Sequence, residues 1–197
     1  MEDPVTIQST GLNRNSRLLN PENTVLLVVD IQEKFIPVLP EPEKLLERVG
    51  ILVEICRQLA IPIVVTEQYP KGLGHTAAAL VERLPETAII LEKSAFGCGR
   101  EPEIFNQLST LKRSQVLVCG IEAHICVNQT VHQLLEAGYQ VHLVQDAVSS
   151  RHARDQEIAL AKMQQSGAIP ACVEMTLFEL LGTSRHPQFK QLQALVK

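Results

Sequence analysis

The chain has no apolar run long enough to cross a membrane: its longest purely aliphatic stretch is Val25 to Val29, and Met1 to Thr24 is polar with no signal-peptide core. Neither a membrane span nor a secretory leader is expected. It also lacks any block of like charge. Lys and Arg number 18 against 22 Asp and Glu, a formal net charge of -4, and nucleic acid is not an expected partner because phosphate binding needs a concentrated basic surface. The five cysteines, Cys56, Cys98, Cys119, Cys126 and Cys172, contain no CxxC. Their odd number and wide spacing speak against a disulfide framework, so reduced thiols and a cytoplasmic location are expected. No GxGxxG follows the first apolar stretch; Asp30-Ile31-Gln32 stands there, and a dinucleotide site is not expected. Repeats, low-complexity tracts and long linkers are missing too.

What remains is a chain of 197 residues, 45% hydrophobic, enough to bury one core. The reading is a polar N-terminal arm over residues 1–22 and one domain over 23–197. Within the domain, short β-branched runs alternate with longer amphipathic ones, the pattern of parallel strands joined by crossover helices. Strands are expected at Thr24 to Val29, Ile63 to Thr66, Ala88 to Leu91, Gln115 to Cys119 and Gln140 to Val144, with a weaker sixth near Ala171 to Glu174. Helical stripes run through Glu43 to Leu59, Thr76 to Leu84, Glu101 to Leu111, Ala123 to Ala137 and His152 to Ser166, the last two closed by Gly138 and Gly167. The fold class is α/β: a single-domain, doubly wound, mostly parallel sheet of order 3-2-1-4-5-6 with helices on both faces.

In such sheets the ligand site lies beyond the carboxyl ends of the strands, where strand order reverses. Asp30 ends the first strand, where partial desolvation would make its carboxylate more basic than in water; its plain alternative is a capping aspartate. Cys126 sits in the first turns of the helix that follows Gly120, where the helix N-terminus would lower a thiol's pKa; its alternative is a buried core cysteine. Lys93 follows the third strand and would have to lean back across the second to reach Asp30. An ammonium beside an aspartate and a thiol would hold both in their reactive states. Phe35, Gln68, Tyr69 and Phe96 each lie just past a strand end and are candidates for pocket walls, as is His124, with core packing or a structural histidine as alternatives. Cys98, in Gly97-Cys98-Gly99, is a candidate for an exposed, oxidisable thiol.

The segments Val28-Val29-Asp30-Ile31-Gln32, Glu92-Lys93-Ser94-Ala95-Phe96 and Gly120-Ile121-Glu122-Ala123-His124-Ile125-Cys126-Val127 resemble, in the same order, the three catalytic motifs of the isochorismatase-like cysteine hydrolases. That family includes nicotinamidases and N-carbamoyl amide hydrolases. Thr66 to Gly74, Asp146 to Arg151 and His186 to Lys190 are similar to the eukaryotic isochorismatase domain-containing proteins. The resemblance implies Asp30 as base, Lys93 as its partner, Cys126 as nucleophile, and a cis peptide between Ile121 and Glu122 that turns backbone N–H groups toward an oxyanion. It also implies a homo-oligomer, a dimer or larger; Phe178 to Leu195 has apolar residues enough to contribute to such a contact, with packing on its own domain as the alternative.

Two departures narrow the chemistry. Where nicotinamidases carry an Asp-x-His metal pattern, this chain reads Thr66-Glu67-Gln68-Tyr69-Pro70, with His75 the nearest histidine; Glu67 and one imidazole fall short of a ligand set, so no metal and no cofactor are expected. Hydrolysis of isochorismate's vinyl ether needs proton transfer and no thiol, which would leave Cys126 idle. The expected activity is cysteine-dependent hydrolysis of a small amide-type C–N substrate through a thioester. The alternatives are a thiol redox sensor, with Cys98 or Cys119 resolving a sulfenic acid, and a catalytically silent scaffold.

Overall fold

Strand β1 (Thr24–Val29) is buried at every position, and its side chains divide between two cores as a period of two requires. Leu26 and Val28 enter one hydrophobic cluster, while Val25, Leu27 and Val29 enter the other. The computed structural model describes residues 17–197, so most of the polar arm over 1–22 lies outside the described residues. Of its described part, Leu19 is buried in the first cluster and its N–H donates to Glu179 at 3.0 Å.

Five further strands complete the sheet: β2 (Ile63–Gln68), β3 (Ile89–Lys93), β4 (Gln115–Ile121), β5 (Gln140–Ser149) and β6 (Ile169–Ala171). All pair in parallel, as the alternating pattern predicts, and in the expected order β3-β2-β1-β4-β5-β6. On one face lie α1 (Pro42–Gln58), α7 (Val173–Leu181) and α8 (Phe189–Gln193), which add Leu45, Val49, Leu52, Leu177, Leu180 and Leu192 to the first cluster. On the other, α4 (Pro102–Thr110), α5 (Asn128–Glu136) and α6 (Ala153–Gln165) add Ile104, Leu108, Val131, Leu134 and Met163 to the second. The short α2 (Pro70–Leu73) and α3 (Ala78–Val81) lie between β2 and β3.

Three expectations need correction. The weak strand at Ala171–Glu174 is instead β6 at Ile169–Ala171, with α7 starting at Val173; Pro170 is tolerated because β6 is an edge strand, and Val173, Thr176, Leu177, Leu180 and Leu181 recur at helical spacing. The helix over Thr76–Leu84 shrinks to the single turn of α3, since Pro85 disfavours helical backbone at Leu84. Strand β5 runs on to Ser149, with its pairing to β4 shifted between Val118 and Gly120, a bulge that no local pattern announces. In the C-terminal stretch, Leu180, Leu181 and Leu192 are buried in the chain's own core, while Phe178 stays 40% exposed.

Candidate active site

The reversal of strand order falls between β1 and β4, and the ends of these two strands are shaped to meet there. Gly120 has φ +117°, and a Cβ on it would lie 2.1 Å from the Val29 carbonyl oxygen, so only glycine lets β4 pass this close to the end of β1. The next peptide, Ile121–Glu122, is cis. A π-helical turn, Ala123–Val127, then leads into α5 and carries Cys126. On the β1 side, Asp30 takes a left-handed φ of 52°.

These turns bring the acid, the cation and the sulfur together. Lys93 Nζ lies 2.7 Å from Asp30 Oδ2, and neither side chain has any exposed surface. The pair spans β2, as expected, since Lys93 stands beside Gln68 in the β2–β3 register. Asp30 Oδ1 accepts from Thr66 Oγ1 at 2.7 Å, and the Cys126 thiol is a close electrostatic neighbour of the same carboxylate. Cys126 is buried, 6% exposed.

The electrostatics differ from a free thiolate at a helix end. Burial, and after it the negative charge of Asp30, push the Cys126 thiol up to about 12, with Lys93 opposing. The expected lowering is therefore corrected: desolvation and a neighbouring carboxylate outweigh the helix terminus, and the resting sulfur is protonated. Burial also raises the Asp30 carboxyl above its ordinary range against the pull of Lys93, Thr66 and Cys126, which makes it a better proton acceptor. Cys98 is not an exposed thiol; it is buried beside the same groups, its thiol pushed up to about 11 by burial, and its N–H donates to Thr130 Oγ1 at 3.1 Å.

The expected wall residues separate. Tyr69, 58% exposed, lines a cavity of about 300 Å³ with Lys71, Glu92, Lys93 and Glu101. Phe96 is exposed at its side chain, and its carbonyl accepts from Lys93 at 2.8 Å. Gln68 is buried with both ends of its amide engaged, by Lys93 Nζ at 2.7 Å and Ser94 O at 2.9 Å, so it braces the site from within and forms no wall. Phe35 is half-buried against the first core cluster. His124 contacts Ser150 Oγ at 3.0 Å and lines a groove of about 210 Å³ with Asn128, Asp155 and Ile158.

Residues without an obvious motif complete the setting. Thr66 ends the expected strand Ile63 to Thr66 and stands beside Val29 in the parallel register, so the signal for it lies in that register. Glu122 is 3% exposed and accepts from Arg151 N at 3.1 Å and Arg151 Nε at 2.9 Å, a contact between the ends of β4 and β5 with no signal in spacing. Glu67 is buried, its Oε1 accepting from Thr76 N–H at 2.6 Å and Thr76 Oγ1 at 2.7 Å, while Oε2 meets His75 Nδ1 at 2.9 Å. Among the described residues no three His, Cys, Asp or Glu side chains gather as a metal-binding group.

Comparison with known proteins follows the same outline. A family model described as the isochorismatase domain matches residues 24–175. Isochorismatase domain-containing protein 2 of Danio rerio is 40% identical over 180 residues, covering 90% of this chain and 89% of the relative. The solved MAR1 ribonuclease of Caenorhabditis elegans is 44% identical, with 91% of this chain and 92% of that one covered at a TM-score of 0.86. The YcaC gene product of Escherichia coli, an octameric hydrolase of unknown specificity, shares the fold at 20% identity, with 90% and 95% covered and a TM-score of 0.81. With the family model spanning most of the sequence and relatives matched over nine-tenths of it, the chain belongs to the isochorismatase family.

Proposed function

We propose that the chain is a metal-independent cysteine hydrolase acting on a small amide-type C–N substrate through a thioester. The observation that supports this most is the Asp30–Lys93 pair, held at 2.7 Å with no exposed surface, with the Cys126 thiol close enough to feel the Asp30 charge. Because burial keeps that thiol protonated, deprotonation has to accompany attack. Asp30 takes the thiol proton as Sγ bonds to the substrate carbonyl carbon, and backbone N–H groups at Glu122 and Cys126 meet the oxyanion. The C–N bond then breaks, and the amine leaves with the proton from Asp30. Water, deprotonated by the same carboxylate, cleaves the thioester and returns the proton to sulfur. Lys93 keeps Asp30 ionised between these transfers.

A panel of small amides, carbamates and ureides, assayed with the wild type and Cys126→Ala, tests this reading. Turnover of at least one substrate should vanish in the variant, and a trapped wild-type acyl-enzyme should carry its added mass on the Cys126 peptide. RNA belongs in the same panel because a 44%-identical structure is described as a ribonuclease. Cleavage of RNA that survives Cys126→Ala, with no amide turned over, would replace the proposal. We further propose a cytoplasmic protein that works as a homo-oligomer. The described cysteines are all unpaired, no helix among the described residues is long and apolar enough to cross a membrane, and Met175 and Phe178 leave apolar surface on α7. Light scattering coupled to size exclusion reads the mass, and a strict monomer would refute the oligomer.

A further inference from the structure

The ladder between β1 and β2 ends at Val29 and Thr66, because Asp30 turns the β1 backbone into the left-handed region. Strand β2 nevertheless continues through Glu67 and Gln68, and its backbone groups there need a partner that β1's main chain no longer supplies. The side chain of Gln32 supplies it. Gln32 Oε1 accepts from the Gln68 N–H at 2.7 Å, and Nε2 donates to the Gln68 carbonyl at 3.0 Å and to the Gly74 carbonyl at 2.6 Å. A primary amide offers the same donor and acceptor as a peptide group, so Gln32, itself fully buried, stands in for a strand.

Held in this way, Gln68 aims its own amide at β3. It donates to Ser94 O and accepts from Lys93 Nζ. The ammonium has three protons, and its remaining neighbours are the Phe96 carbonyl at 2.8 Å, the Ala95 carbonyl at 3.2 Å and Asp30 Oδ2 at 2.7 Å. Every acceptor except Asp30 is neutral. The unit charge of Lys93 is therefore balanced, at contact distance, by one carboxylate.

We propose that Gln68 is a positioning residue for the reaction, fixing the Lys93 ammonium against Asp30 without sharing its charge, and that Gln32 holds Gln68 in register. This rests on Asp30 being the base for Cys126 and deepens that reading. The other titratable groups facing the pair are the thiols of Cys126 and Cys98 and the carboxylate of Glu101; Glu101 Oε1 is engaged by the N–H groups of Ser94 and Ala95 at 2.7 and 2.6 Å.

The test is the rate of Cys126 alkylation by iodoacetamide against pH, read by peptide mass, with thermal unfolding recorded for each variant. In that reaction the S–C bond forms, iodide leaves and the thiol proton passes to Asp30, so the acid limb of the profile follows the fraction of Asp30 that is ionised. Gln68→Glu gives Lys93 a second carboxylate. Its midpoint should move up by about one pH unit, about tenfold slower on the acid limb, with the plateau within about threefold of wild type. Gln68→Met removes the acceptor and adds no charge, so the plateau should fall about tenfold while the midpoint stays within about 0.3 units, and Gln32→Met should copy it. In Gln68→Glu, an unmoved midpoint or an equal loss at every pH overturns the proposal. If Gln68→Glu does not fold, an unchanged plateau in both methionine variants overturns it instead. A Cys126→Ala protein that takes up iodoacetamide as fast as wild type defeats the nucleophile assignment itself, a separate failure.

Discussion

Asp30 and Glu67 are both buried carboxylates near the ends of adjacent parallel strands, yet they are pushed in opposite directions. Burial raises both. At Glu67 the opposing contacts win: the Thr76 N–H, His75 and the Thr76 hydroxyl bring its carboxyl below the usual range. At Asp30 the opposing contacts are Lys93, Thr66 and the Cys126 thiol, and burial still prevails. A carboxylate saturated with donors is a clamp, here joining β2 to the loop at Thr76. One that is desolvated, held by a single cation and edged by a thiol can exchange a proton.

The largest effect should come from removing the exchangeable one. Asp30→Asn keeps the shape and removes the base, and Cys126 alkylation at neutral pH should slow by about 10²- to 10⁴-fold. Glu67→Gln should leave that rate within about tenfold of wild type. If the two variants lose reactivity equally, the distinction between base and clamp fails. The seat of Asp30 can be broken from the opposite strand. Gly120→Ala places a methyl against the Val29 carbonyl at a φ that L-residues avoid, and chemical denaturation should show a loss of about 3 kcal/mol or more. A loss under about 1 kcal/mol would mean that β4 can retreat from Asp30 without harm.

For Glu67→Gln the expected loss is about 1 to 3 kcal/mol, because the Thr76 N–H and hydroxyl would face an amide that donates as well as accepts. His142 isolates burial from partnership. This β5 histidine is almost fully buried, its closest side-chain polar contact a 3.4 Å one to Gln140, and burial lowers its imidazole from 6.5 to about 4. An unfolded chain binds that proton more readily, so stability holds above pH 6.5 and drains away as pH falls toward 4, on the order of 3 kcal/mol in total. Urea titrations at pH 7 and pH 4.5 should show the difference shrink in His142→Gln. An equal difference in the variant would assign the acid loss to other groups.

The same contrast explains what was legible in the sequence. Strand β1 is readable to the residue because all six of its positions are buried and five of them, Val25 to Val29, are apolar, and Asp30 directly follows that run. The parallel, doubly wound architecture is legible in the alternation, and the bulge in β5 is not, since it depends on pairing with β4 across the chain. Gln68 looks like a wall residue in the sequence because a polar residue beyond a strand end looks the same whether it faces solvent or braces a lysine. Gln32 is harder still. Its role as a surrogate backbone exists only because Asp30 bends β1 away, and that bend is a tertiary fact with no periodicity of its own.

The smallest effect falls on the exposed side of the clamp, where it sharpens the comparison most. His75 is solvent-exposed, and the hydrogen bond and charge of Glu67 raise its imidazole above 6.5. The pairing is present in full below pH 6.5 and is lost as pH rises through the elevated native value, the reverse of the dependence at His142. An NMR titration of the imidazole should therefore give a midpoint above 6.5 in wild type that drops back in Glu67→Gln and does not move in Asp30→Asn. A midpoint that shifts with Asp30 as much as with Glu67 would mean the two carboxylates act as one coupled system. Clamp and base could then no longer be assigned to separate residues.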